Sequence, residues 1–115
     1  MILYRPVGQK ELDLIEKSRY KEFPPRLEGQ PIFYPVVNKQ YARQIASEWN
    51  VKDKLSGYIG YVVEFEVDDG YLKQYDIKTV GAGGHKEYWI PAERLAEFNG
   101  HIIGRIRVLE KFESA

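Results

Sequence analysis

The fold is decided by residues 58–67, which read YIGYVVEFEV. Apolar side chains recur there at strict period two, which is the pattern of a strand with one buried face. The residues on that face are Ile59, Tyr61, Val63, Phe65 and Val67. Glu64 and Glu66 fall on the opposite face, where exposure to solvent accounts for them. Residues 58–67 are therefore predicted to form the central strand.

The segment before this strand predicts an amphipathic helix. Asn38 suits the N-cap position, and the helix that follows runs to Trp49. Its apolar stripe consists of Tyr41, Ala42, Ile45, Ala46 and Trp49. Because the stripe and the buried strand face would each otherwise be left in water, we expect them to pack together, with Trp49 and Phe65 in one cluster.

The rest of the chain predicts short elements. Strands are expected at 2–7, 32–37, 77–80, 85–90 and 102–112, and helices at 9–18 and 92–98, the latter with Pro91 at its first position. Residues 20–31 contain three prolines and a glycine, which predicts a loop. This order favours the α+β class: one domain, residues 1–115, with a small split or bent mixed sheet and two main helices.

Composition excludes several functional classes. The 115 residues are 43% hydrophobic and 30% charged, as expected for one soluble domain. The absence of cysteine excludes thiol nucleophiles and thiolate zinc sites. With 17 basic and 17 acidic residues, the balance of charge argues against bulk nucleic-acid binding. No apolar run has the length of a membrane span and the start lacks signal-peptide features, so we expect a cytoplasmic protein that does not bind membranes.

Two features that could bind ligands have simpler explanations. The glycines at 81–84 suggest a phosphate loop, but no phosphate-loop or dinucleotide motif is present, which favours a flexible connection. The two histidines, His85 and His101, are 16 residues apart and have no metal-ligand spacing. We therefore expect no metal.

Glu87 is the strongest candidate for chemistry. On the predicted strand 85–90 it shares a face with His85 and Trp89. A carboxylate flanked by aromatic rings can hold a sugar hydroxyl or stabilise a cationic sugar. The alternative is an ordinary exposed strand glutamate. Arg5, at the end of the first strand, could likewise clamp a phosphate or ribose, or simply cap the surface.

The order of these motifs resembles the ADP-ribosyltransferase fold. Leu3-Tyr4-Arg5-Pro6 is similar to the family's first strand, and Ile32-Phe33-Tyr34-Pro35 to its second. Residues 57–62, GYIGYV, resemble a strand of the small bacterial rifampicin-type transferases, and Glu87 precedes a helix and a closing strand as in the family. The chain is also similar to short bacterial proteins that carry ADP-ribosylation and crystallin labels.

The resemblance implies an NAD site in which Glu87 is the catalytic acidic residue and binds the hydroxyl of the nicotinamide ribose. It implies that Arg5, with Tyr4 beside it, contacts ribose or phosphate, and that Tyr34 or Phe33 packs on the nicotinamide. His85 stands where arginine-directed members usually have a second glutamate, so arginine is the least supported acceptor. Arg5, Tyr34 and Glu87 are therefore expected to meet in one cleft.

Three functions remain open at this level. The first is NAD binding with transfer of ADP-ribose to an unknown acceptor. The second is a catalytically silent module of the same fold that binds a nucleotide or a protein partner. The third is an interaction protein whose exposed aromatic residues form a partner surface. Burial of Glu87 in a cleft with Arg5 and Tyr34 would favour the enzyme, and an open sheet face would favour the module.

Overall fold

The computed structural model of the chain describes residues 1–80 and 84–113. The strands are β1 (Ile2–Val7), β2 (Ile32–Phe33), β3 (Ile59–Val67), β4 (Ile77–Val80), β5 (His85–Tyr88), β6 (Ile90–Pro91) and β7 (Ile102–Glu113). The α-helices are α1 (Gln9–Lys17), α2 (Lys39–Glu48), α3 (Asp69–Leu72) and α4 (Leu95–Asn99), with single 3₁₀ turns at Asn50–Lys52, Lys54–Ser56 and Ala92–Arg94. The predicted α+β class is confirmed. There are three main helices, α1, α2 and α4, rather than two.

The predicted central strand is β3, which lies between β1 and β7 in an antiparallel sheet. Leu3 of β1 pairs with Phe65, and Val67 pairs with Ile102 of β7. The β3–β7 register shifts between Glu64 and Glu66, close to Gly104, which has a φ of 75°. Glycine adopts this conformation without steric cost, so the long strand β7 can bend there. Two further antiparallel pairs, β2–β6 and β4–β5, complete the strand pairing.

Helix α2 packs on the face of β3 opposite to the predicted one. Its Ala42 and Ala46 form a buried cluster with Val62, whereas Phe65 belongs to a different cluster on the other face. Trp49, at the end of α2, is 73% exposed. The prediction that Trp49 and Phe65 share a cluster is therefore wrong, because β3 is buried on both faces and the period-two pattern identifies only one of them.

A close approach between helix and strand fixes this arrangement. A Cβ atom at Gly60 of β3 would lie 2.4 Å from the carbonyl oxygen of Ala46. Only a residue without a side chain fits there, so α2 rests directly on the strand backbone. The small residues Ala42 and Ala46 make the contact with the strand, and Trp49 does not.

The larger core cluster lies on the opposite face of the sheet and is rich in phenylalanine. Phe23, from the predicted loop 20–31, contacts Phe65 edge to face at 4.8 Å between ring centroids and Phe33 at 5.0 Å. Asn99, at the end of α4, holds the loop in place through hydrogen bonds of 2.9 Å to both the backbone N–H and the carbonyl of Phe23. The proline-rich loop is thus anchored in the core.

Several boundaries differ from the sequence prediction. Pro91 lies in β6 and pairs with Ile32, so it precedes the 92–99 helical segment instead of opening it. Asn38 occupies the N-cap position of α2, but its side chain accepts a hydrogen bond from the N–H of Lys86 instead of capping the helix. The predicted strand 32–37 is regular only at Ile32–Phe33. The glycine cluster falls largely at 81–83, outside the described residues.

Within the described part of the chain, no helix combines the length and apolar character needed to cross a bilayer.

Candidate functional site

The site is assembled around Val36, which joins two parts of the fold. Its backbone exchanges two hydrogen bonds of 2.8 Å with Tyr4 of β1. On its other side, Val36 forms a bridge with Glu87 of β5. The flanking bonds run from the N–H of Val37 to the carbonyl of Lys86 and from the N–H of Tyr88 to the carbonyl of Pro35. The first strand, the segment after β2 and β5 therefore lie side by side.

This pairing brings Arg5, Tyr34 and Glu87 to one cleft of about 500 Å³. Volumes of about 300 to 1,000 Å³ are usual for small-molecule sites. The other walls are provided by Pro6, Val36, Tyr41, Ile45, Asn50 and Trp89. The three residues that the sequence pattern placed together, 29 and 53 positions apart along the chain, thus line the same cleft.

Glu87 is the buried acidic group of this cleft. It is 7% exposed, and its Oε1 accepts a hydrogen bond of 2.7 Å from the indole N–H of Trp89. Among residues 1–80 and 84–113, no basic side chain lies within ion-pair distance of it. The alternative of an exposed strand glutamate is wrong. Trp89 lies at the break between β5 and β6, and its indole N–H faces the carboxylate.

Aromatic rings form the walls around this carboxylate. Tyr34 and Trp89 meet at right angles, with ring centroids 6.2 Å apart, and both are partly exposed. Tyr41, on the first turn of α2, is the third ring. Its pKa is raised, first by burial and then by the negative charge of Glu87. The cleft therefore places the faces of aromatic rings beside a buried carboxylate.

His85 lies one layer behind the cleft. Its ring stacks on Tyr41, with centroids 4.2 Å apart and planes 7° apart. It is not among the lining residues. The sequence pattern placed His85 in the site and treated Tyr41 as part of a helix stripe; in the structure Tyr41 lines the cleft and His85 supports it.

Arg5 is held rigidly at the floor of the cleft. Its Nε and Nη2 donate hydrogen bonds of 2.7 and 3.0 Å to the two carboxylate oxygens of Glu11 in α1. Its guanidinium carbon lies 4.6 Å from the centroid of the Phe33 ring. A bidentate pair over an aromatic face is a strong arrangement. Two of the five N–H donors of Arg5 are therefore already used by Glu11, and its charge is neutralised within the protein.

Tyr4 does not line the cleft, contrary to expectation. It lies opposite Glu64 of β3, on the other face of the sheet from Arg5. Burial raises its pKa, and the charge and hydrogen bond of Glu64 raise it further. Neighbouring strand residues point their side chains to opposite faces, which accounts for the position of Tyr4 outside the cleft that Arg5 lines. The same rule separates Phe33, which is fully buried in the core, from Tyr34, which lines the cleft.

The described residues contain no group of three or more metal-ligating side chains that could hold an ion. Comparison of the chain with protein-family models, with curated proteins and with solved structures gave no match.

Proposed function

We propose that the Glu87 cleft binds NAD and that the protein transfers ADP-ribose from it to an acceptor, as an ADP-ribosyltransferase-like enzyme. The observation that supports this most is the burial of Glu87 without a basic partner among the described residues. A buried negative charge is costly unless something positive faces it. A ligand that is cationic, or that becomes cationic as it reacts, would remove that cost.

Nicotinamide riboside has the properties that this cleft would favour. Its ring is planar, aromatic and positively charged, and the faces of Tyr34, Tyr41 and Trp89 attract such a cation. Its ribose carries hydroxyls that can donate hydrogen bonds to the remaining oxygen of Glu87, since Trp89 occupies Oε1. The residues present therefore fit this part of NAD.

Glu87 would act through electrostatics. The bond between the ribose C1′ and the nicotinamide nitrogen breaks, the electron pair leaves with nicotinamide, and positive charge develops on the ribose. An acceptor nucleophile then bonds to C1′ and loses its proton to solvent. A fixed carboxylate beside the developing charge stabilises the transition state more than the ground state. Trp89 holds that carboxylate in place.

A catalytically silent nucleotide-binding module is the second candidate. It is favoured by the extent to which the polar groups of the cleft are already held, Arg5 by Glu11 and Glu87 by Trp89. Such a site can bind a ligand without reacting with it. Release of nicotinamide from NAD distinguishes the two: the enzyme produces it, and the module does not.

Ligand-induced stabilisation tests binding in either case. NAD at about 100 times its dissociation constant should stabilise the native state by about 2.7 kcal/mol, a rise of about 10 °C in Tm. Trp89→Ala should lose most of this rise, whereas Trp49→Ala, at the other and exposed tryptophan, should keep it. Thermal denaturation with NAD, ADP-ribose and nicotinamide measures it. Equal Tm values with and without all three ligands would contradict the proposal.

A further inference from the structure

A second cavity of about 260 Å³ adjoins the Glu87 cleft. Arg5, Pro6 and Asn50 line both. The second cavity is enclosed by α1, by residues 24–27 of the proline-rich loop and by the 3₁₀ turn at Lys54–Ser56. We call it the Arg26 cavity. The two spaces are therefore neighbours, separated by these three residues.

Arg26 brings a positive charge that has no direct ion-pair partner in the described chain. Its Nε is buried and has no hydrogen-bond partner, and no described residue forms an ion pair with it. Burial lowers its pKa and the nearby positive charge of Arg5 lowers it further, while Glu11 and Tyr34 act in the opposite direction without reversing the shift. Arg5 is neutralised by Glu11, but Arg26 has no such partner among the described residues. Three basic and two acidic side chains line the cavity, so its net charge is positive.

Asn50, which lines both cavities, has a buried acceptor without a partner in the described chain. Its Nδ2 donates a hydrogen bond of 2.9 Å to the hydroxyl of Ser56, which donates in turn to Asp53 at 2.8 Å. Because the single hydroxyl proton of Ser56 goes to Asp53, the amide of Asn50 is fixed in this orientation. Its Oδ1 is left buried with no partner in the described chain.

A buried donor and a buried acceptor without partners are each costly. One ligand chemistry satisfies both: an anionic oxygen for Arg26 and a hydroxyl for Asn50. A phosphate attached to a sugar carries these two groups together. Arginine is the side chain best suited to phosphate oxygens, because its guanidinium donates several hydrogen bonds in one plane.

We infer that the Arg26 cavity is a phosphate-binding subsite, in which Arg26 binds the phosphate and Asn50 accepts a hydrogen bond from an adjacent hydroxyl. The phosphate has two possible sources: the diphosphate of a dinucleotide whose other end lies in the Glu87 cleft, or a separate phosphorylated molecule. The first source rests on the proposed function, and the second does not.

Isothermal titration of the full chain with NAD, nicotinamide riboside and pyrophosphate separates these sources. If the dinucleotide supplies the phosphate, Arg26→Gln should weaken NAD binding about tenfold or more and leave nicotinamide riboside unchanged. If a separate molecule supplies it, Arg26→Gln should weaken pyrophosphate alone, and NAD should not compete with pyrophosphate. Arg105→Gln, an exposed arginine of β7, is the matched control and should change neither.

The inference is overturned if Arg26→Gln binds NAD and pyrophosphate as tightly as the wild type, or if the wild type binds neither. The proposed function fails separately. Arg26-dependent binding of pyrophosphate without any binding of NAD or nicotinamide riboside would support the phosphate-binding subsite and contradict the proposed transferase function.

Thermal denaturation tests whether the effect of Arg26→Gln is instead structural. Because Arg26 faces Arg5 and has no partner in the described chain, Arg26→Gln should unfold at the wild-type temperature or above it. A loss of several degrees would make Arg26 a structural residue and overturn the inference.

Discussion

Glu87→Gln is expected to reduce nicotinamide release from NAD by about 10²-fold or more, the usual effect of removing one electrostatic partner of a transition state. Glutamine has nearly the same shape and can still accept the hydrogen bond of Trp89, so Tm and the affinity for NAD should change little. The missing property is the negative charge beside the ribose. Steady-state measurement of nicotinamide by chromatography determines the rate.

Glu66→Gln provides the matched control for this experiment. Glu66 lies on β3 and does not line the cleft, so its replacement should leave the rate unchanged. If Glu87→Gln released nicotinamide as fast as the wild type, the charge of Glu87 would have no role in the mechanism. A parallel fall of rate and Tm would show that the fold, and not the charge, had been changed.

Glu11→Ala is expected to lower the free energy of unfolding by about 3 kcal/mol, because it leaves the buried guanidinium of Arg5, a residue only 8% exposed, without its counter-ion. The repulsion between Arg5 and Arg26 would then be unopposed. Asp13→Ala, at an exposed residue of the same helix, should cost far less. Urea denaturation of the two variants gives the comparison.

A second variant separates the buried charge from the packing of Glu11. In Arg5→Met with Glu11→Leu, no charge is left unpaired, and stability should return most of the way to that of the wild type. Equal stabilities of Glu11→Ala and Asp13→Ala would mean that the ion pair contributes little. They would also remove the reason for treating Arg5 as a fixed floor of the cleft.

The sequence predicted those parts of the fold that depend on local patterns. The period-two run at 59–67 and the apolar stripe of α2 both form the expected elements. The face on which they meet could not be predicted, because Val62 is buried as deeply as Phe65 and alternation does not distinguish a doubly buried strand. The signal was present in Gly60, whose missing side chain admits the helix.

The same distinction applies to the site. Alternation along the predicted strand 85–90 placed Glu87 and Trp89 on one side, and the two side chains are hydrogen-bonded in the structure although the strand breaks at Trp89. Alternation along β1 places Tyr4 and Arg5 on opposite faces of the sheet. Glu11, Tyr41 and Asn50 were missed. Each reaches the site through tertiary contacts between elements, and no short spacing in the sequence marks such a contact. Buried groups without partners, such as those of Arg26 and Asn50, are visible only once the chain is folded.

The central claim is that the Glu87 cleft binds NAD, and the two tryptophans of the chain allow a direct test. Trp89 lines the cleft, and Trp49 lies outside it. In Trp49→Phe, where Trp89 is the sole indole, NAD should change the fluorescence emission in a saturable manner, and nicotinamide riboside should do the same. In Trp89→Phe, the emission of Trp49 should not respond. No saturable change in Trp89 emission, or a response that comes from Trp49 instead, would contradict the account.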